Sequence, residues 1–205
     1  NAALDLPTVF PERRLSFESL EAKASWRLED GWVNARLEKA AFQNQDAAGE
    51  AAGSYRSNGS GPGSIDLSAR LTRADGGAVW RYMPLVVNLD TRSWLRRSII
   101  GGKATATLRL KGDLSHFPFA DGSGIFEVKG PFQGASLDYA PGWPRFEEVN
   151  GDLAFVGGQM LIRAHSARLW GVTLADVKAE IPDLAAAAGE QMIITGVARG
   201  PTADF

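Results

Sequence analysis

The chain has 205 residues, a formal charge of −2, 44% hydrophobic and 22% charged residues, and no cysteine. That length buries a sizeable core as one domain or two small ones, and the slightly acidic balance argues against a nucleic-acid binder, which carries a basic stripe. Without cysteine, disulfides, thiolate nucleophiles and cysteine-ligated metals are excluded together. No apolar run reaches the roughly 18–20 residues of a membrane span, and no charged-apolar-small signal peptide opens the chain. It starts at Asn1 rather than Met and stops at Phe205 in mid-pattern, which reads as a segment of something longer.

Leu15 and Phe17 alternate with polar neighbours, and Leu20, Ala22, Ala24, Trp26 and Leu28 then hold one side of a period-2 pattern. The phase slips between Phe17 and Leu20, which predicts a bulge or turn near Ser19. Asp30-Gly31 is a hairpin signal, because both residues tolerate positive φ, and Val33, Ala35 and Leu37 return on the next strand. Residues 47–55 are nearly all Ala, Gly, Ser and Glu, small enough to admit another layer or to leave room inside a groove. The stretch 57–64 is a Gly/Ser-rich loop. Ile65, Leu67, Ala69 and Leu71 then alternate with Asp66, Ser68, Arg70 and Thr72. Residues 1–75 therefore read as an antiparallel β-meander.

The pattern changes at Asp75. Residues 75–83 predict one or two helical turns stopped by Pro84. Asp90 or Thr91 is the expected cap of a helix running through Ile99 and ended by Gly101-Gly102. Trp94, Leu95 and Ile99 share its apolar face; Arg92, Arg96 and Arg97 lie mostly opposite. Residues 76–101 are thus a short helical insert. The two-residue period returns at Lys103, with Ala104, Ala106, Leu108 and Leu110 facing one way and Thr105, Thr107 and Arg109 the other.

Residues 116–145 are dense in aromatics, glycine and proline. Phe117, Phe119, Phe126, Phe132, Tyr139, Trp143 and the adjoining Phe146 exceed what one short element buries, so they are expected to pack on sheets supplied from both sides. Hairpins follow, turning near Gly157-Gly158 and Trp170-Gly171. Met160, Ile162 and Ala164 share one strand face, and Val177, Ala179 and Ile181 lie on the next strand. Residues 184–189 read as a loop or single helical turn, 191–197 as a last strand, and Gly200-Pro201 as the turn out of it. Residues 102–205 make a second meander continuing the first sheet. An offset of 129 pairs Phe17-Glu18-x-Leu20 with Phe146-Glu147-x-Val149, and Ala24, Trp26, Val33 and Ala35 with Leu153, Phe155, Ile162 and Ala164. Such a repeat implies sheet units stacked end to end.

Catalytic chemistry is poorly supplied. His116 and His165 are the only neutral-pH general bases, and neither has ligand spacing or a partner nearby in sequence. Glu147 and Glu148, as strand neighbours, point to opposite faces and cannot act as a glycosidase pair. No nucleophile elbow, phosphate loop or dinucleotide fingerprint occurs. The reading is non-enzymatic, with no catalytic residue, metal or cofactor. Arg92, Arg96 and Arg97 are candidates for phosphate headgroups or an anionic surface, against the plainer reading of a solvated face. The apolar strand faces are core in a closed β-sandwich, or line a trough able to hold acyl chains in an open, curved sheet. The residues alone leave both open.

The spacing Trp94-Leu-x-x-x-Ile99, Gly112-Asp-Leu-Ser-His-Phe-Pro-Phe119, Gly124-x-Phe126, Leu137-x-Tyr139 and Trp143-Pro144 resembles the AsmA-like proteins of the YhdP group, in their DUF3971 region. Gly151-x-Leu-x-Phe155, Met160-x-Ile162 and Ile181-Pro-Asp-Leu184 continue the similarity. The resemblance implies a mainly β, elongated and curved antiparallel sheet with an apolar concave side. It implies a segment of a bridge-like carrier in the Gram-negative periplasm, anchored in the inner membrane by parts outside this segment and moving phospholipid to the outer membrane. On that reading Ala104, Ala106, Leu108, Leu110, Leu153, Phe155, Met160 and Ile162 line a lipid groove, with phospholipid and the two membranes as partners and no nucleic acid. The alternative is a closed β-sandwich scaffold or adaptor, with carbohydrate as a further candidate ligand.

Overall fold

The computed structural model describes residues 2–7, 9–12, 14–57, 59–85, 87, 89–139, 141–170, 172–183 and 192–199. Its strands are β1 (Ala2–Asp5), β2 (Arg14–Phe17), β3 (Ser19–Glu29), β4 (Trp32–Gln43), β5 (Ala47–Arg56), β6 (Ser64–Asp75), β7 (Ile99–Asp113), β8 (Ile125–Leu137), β9 (Phe146–Val156), β10 (Gln159–Leu169), β11 (Val172–Ile181) and β12 (Ile193–Arg199). β1 and β2 pair with each other, while β3 to β12 form one curved antiparallel sheet of ten strands in strict sequence order. The sheet is not closed into a barrel, and no second large sheet faces it among the described residues. The closed sandwich is therefore not the architecture. The expected loop or helical turn at 184–189, and the turn at Gly200-Pro201, lie outside the described residues.

Local chemistry explains the connections. Asp30 and Gly31 turn at φ of 51° and 81°, the two left-handed conformations that match a tight turn to the twist of its strands. The phase slip after Phe17 is a bend at Glu18, where β2 leaves the main sheet to pair with β1. The β3–β4 and β9–β10 hairpins are in step at 127 residues, Asp30 with Gly157, rather than at 129. The difference is one strand period, so the same side chains still face the same way.

The helical insert is a 3₁₀ segment (Gly76–Tyr82) followed by α1 (Leu89–Ser98). The Asp75 carboxylate caps the first by accepting from the Gly77 N–H. Two expectations are corrected. Helix α1 begins at Leu89, so Asp90 sits in its first turn and not at the cap. It also ends at Ser98: Ile99 and Gly101 pair with Leu137 and Ser136, so ladder bonds to β8 take over where the helix was expected to continue. Ser98 is 2% exposed, and its carbonyl accepts from the Asp138 N–H. Apart from their ladder neighbours, the strands make substantial contacts only where β6 and β7 meet this insert.

A polar clasp ties the N-terminal segment to the insert and to the β4–β5 turn. The Arg81 guanidinium donates to both Glu12 carboxylate oxygens at 2.8 Å and to Asp46 at 2.6 Å. The Tyr82 hydroxyl donates to Asp46 at 2.9 Å and accepts from Asn44 at 2.8 Å, while Asn44 Oδ1 accepts the N–H groups of Asp46 and Ala47. The Arg81 hydrogen bond holds the Glu12 carboxyl below its usual range. Burial, reinforced by Asp46, pushes the Tyr82 hydroxyl up to about 12. Every member is satisfied, which is what makes a half-buried network stabilising.

The aromatic stretch divides between the two strand ends. Phe119, only 3% exposed, sits where a Cβ on Gly112 or Gly124 would collide with its ring. Phe117 stacks between Phe119 and Phe126, and Phe126 approaches Phe155. At the opposite end Trp94 meets Tyr139, and Tyr139 meets Trp143. Trp143 is 62% exposed, so the expectation that it packs onto a sheet is corrected.

A Cβ on Gly130 would run into the Thr105 carbonyl oxygen and lie 2.8 Å from the Ala106 Cα, so Gly130→Val lowers chemical-denaturation stability by about 1–3 kcal/mol. Arg81→Ala strands two carboxylates and costs about 1–3 kcal/mol. Because the folded Glu12 value is depressed, its contribution is present above the ordinary carboxylate range and is lost as pH falls below about 4. Melting curves from pH 3 to 6 should show that loss in the parent and not in Arg81→Ala.

Candidate functional site: an apolar sheet face with no facing layer

Directly opposed residues in an antiparallel ladder share a sheet face, so the register identifies each face without further assumption. One row crosses all ten strands as Leu20, Phe42, Gly49, Leu71, Ala106, Gly130, Leu153, Ile162, Ala179 and Ile194. It contains no polar side chain. A neighbouring row on the same face runs Ala51, Ala69, Leu108, Val128, Phe155, Met160 and Ile181 from β5 to β11. Ala104 stands in a third row with Ala74, Phe132, Gly151 and Ala164, and Leu110 in a fourth with Leu67 and Phe126. All eight residues expected to line a groove therefore fall on one face. Seven are half-buried, and Met160 is buried at 6% exposure.

The opposite face is polar over most of its extent. Between the first two rows, Glu50, Arg70, Thr107 and Lys129 are ladder partners pointing away from the apolar side. The two faces differ in size as well as polarity. Glycines 49, 53, 130 and 151 all belong to the apolar face, and a Cβ on any of them would collide with a carbonyl of the adjacent strand. Such close approach is open only to glycine.

Exposure varies along the face. Toward β9–β11, Val149, Ala164 and Ala167 are buried among Phe132, Phe146, Leu174 and Val177. At the β3–β4 edge, Trp26 and Leu28 are 69% and 72% exposed. Phe17 reaches from β2 to the ring of Phe42, covering one corner. Phe117, from the β7–β8 connection, covers another corner by packing on Phe126.

The arginines of α1 are partly committed within the chain. The Arg92 Nε donates to the Val87 carbonyl at 3.0 Å, and the Arg96 guanidinium lies 4.6 Å from the centre of the Trp80 ring. Arg97 is exposed. The structure thus places them at the insert end of the sheet and brings none of them to the apolar rows.

His165 and Asp152 pair at 2.8 Å on the exposed polar face, with no nucleophile joined to them among the described residues. His116 lies 3.9 Å from Asp121. Among the described residues no group of acidic and histidine side chains has the arrangement of a metal site. Two features escaped the sequence reading because they join residues far apart in the chain. One is the clasp around Arg81. The other is a hollow of about 510 Å³ lined by Arg27, Arg36 and Arg56 from three successive strands.

Comparison with known proteins bears on these observations. The family model described as YhdP protein matches residues 1–205. A curated relative, the "Intermembrane phospholipid transporter YhdP" of Escherichia coli (strain K12), is 30% identical over 139 residues. That match covers 67% of this chain and 11% of the relative, so the chain spans about a tenth of the length of the curated protein it matches. No solved structure matches. A family match running from the first residue to the last, on a single-layer β-sheet with one apolar face, means that the chain belongs to the YhdP family.

Proposed function

We propose that this chain is a non-enzymatic length of a lipid-transfer conduit in the periplasm, in a protein anchored in the inner membrane and reaching toward the outer one. The observation that carries the reading is the unbroken apolar row across ten strands, with no facing sheet among the described residues to turn it into a core. A single-layer sheet of this kind must hide its apolar face or use it. The name of the E. coli relative supplies the cargo class, phospholipid.

The mechanism is passive. Each acyl CH₂ sheltered from water is worth about 0.8 kcal/mol, so ten sheltered CH₂ groups are favoured by about 8 kcal/mol over bulk water. Nine strand spacings of about 4.8 Å make the face roughly 43 Å across. An acyl chain reaches about half of a 30 Å bilayer core, or roughly 15 Å, so the face accepts whole chains. Rows made of Ala, Gly, Leu, Ile and Phe offer no polar step to stop a chain moving from one strand to the next. Headgroups stay in water beyond the rim, and Arg92, Arg96 and Arg97 are candidates to meet their phosphates. On this reading the segments 1–75 and 102–205 act as one surface, with the 76–101 insert at its edge.

The parity of the strands gives a direct test. A photoreactive phenylalanine analogue at Leu108 should crosslink to phospholipid in cells, while the same residue at Thr107, which points to the other face, should not. Equal labelling at both positions would contradict the groove. Ala106 lies opposite Gly130, where no side chain fills the space. Ala106→Trp should therefore leave stability within about 0.5 kcal/mol, as at an uncovered site, while reducing lipid transfer by the full-length protein several-fold. Marked unfolding on that change would instead indicate a closed core.

A further inference from the structure

The polar face carries a feature that lipid shelter does not explain. Two of its rows run side by side across β3 to β6: Ser25, Arg36, Ser54 and Asp66 in one, and Arg27, Asn34, Arg56 and Ser64 in the other. Together they line the hollow of about 510 Å³, whose remaining lining residues are Trp26, Ala35, Tyr55 and Ile65. Those four form the row between, and their side chains point to the apolar face. The apolar neighbours two residues away, such as Leu28 and Leu37, do not line the hollow. Two of the three rows that line the hollow therefore belong to the polar face.

Its charge is unbalanced. Arg27, Arg36 and Arg56 form no ion pair or side-chain hydrogen bond among the described residues. Asp66, the lining carboxylate, is held by Arg109 at 2.5 Å and Lys111 at 3.5 Å, and the Arg109 hydrogen bond keeps its carboxyl below the usual range. Glu38, two residues beyond Arg36, is taken by Lys23 at 2.6 Å. Glu29, two residues beyond Arg27, makes no ion pair with it. The chain as a whole has 24 acidic and 22 basic residues, so acids are plentiful yet none neutralises this site. Diagonal positions on adjacent strands lie about 7–8 Å apart, within joint reach of long side chains. Uncompensated like charges at that spacing repel, and a bound anion relieves them.

We propose that Arg27, Arg36 and Arg56, with Ser25, Asn34, Ser54 and Ser64 as neutral donors, form a binding site for a phosphate-bearing anion on the face opposite the acyl trough. Guanidinium groups suit this ligand because their planar donors match phosphate oxygens in pairs. The phosphate belongs either to a small soluble anion or to a phospholipid headgroup held from outside the trough. The inference does not rest on the conduit reading, and its failure leaves that reading intact.

The test is calorimetric titration of the 205-residue chain at low salt with inorganic pyrophosphate and, separately, with short-chain phosphatidic acid below its micelle concentration. Each is repeated on the R27Q/R36Q/R56Q variant and on Arg70→Gln, an exposed arginine of the same face outside the hollow. Circular dichroism checks that each variant keeps its sheet. Binding that weakens about tenfold or more in the triple variant, the loss of one charge-assisted hydrogen bond or more, and is unchanged in Arg70→Gln, supports the site. Pyrophosphate alone meeting that criterion assigns a soluble anion, and phosphatidic acid alone assigns a headgroup. Absence of binding by the parent chain, or equal binding by the folded triple variant, overturns it.

Discussion

Everything in this structure depends on one constraint: a β-strand sends successive side chains to opposite faces, and ten strands keep that alternation in register. The row from Leu20 to Ile194 is apolar because each ladder carries the same parity into the next strand. A one-residue slip at any ladder would turn the rest of the sheet over. The bulges absorb their extra residues without that cost: at Glu38 the β3–β4 register shifts, yet Leu20 and Phe42 still share a face with Trp26 and Ala35. Faithful parity over this distance is the physical content of a continuous apolar surface.

A single layer with one greasy side needs its strand ends held, and part-buried polar and aromatic contacts lie there. At one set of strand ends the Glu12–Arg81–Asp46–Tyr82 clasp fastens the N-terminal segment and the insert. At the other, Phe119 is seated over glycines that leave room for its ring. Between these ends, glycines 49, 53, 130 and 151 on the apolar side let the neighbouring backbone approach closely.

Much of this was legible in the residues. The two-residue period at 65–71 and 103–111 specified strands and faces correctly, because alternation is a local property. Asp30-Gly31 specified its turn for the same reason. The boundary of α1 was not legible: Ile99 and the Gly101-Gly102 pair look like the end of a helix, but Ile99 and Gly101 take ladder partners in β8 from residues 35 or more positions later. Trp143 was expected to pack onto a sheet, yet it lies in the β8–β9 connection and is 62% exposed. The Arg81 clasp and the three-arginine hollow join strands whose register no local pattern reveals. Openness of the sheet was the largest matter beyond local reading, since the same alternation serves a sandwich and a trough.

The most direct test of the account is native mass spectrometry of the purified chain, with extraction and identification of whatever it carries. An uncovered apolar face that shelters acyl chains predicts phospholipid bound at defined stoichiometry, released when the face is made polar by Leu108→Asp in a chain that keeps its sheet. Phospholipid retained equally by a folded Leu108→Asp variant, or a parent chain that stays lipid-free after incubation with phospholipid vesicles, would contradict it.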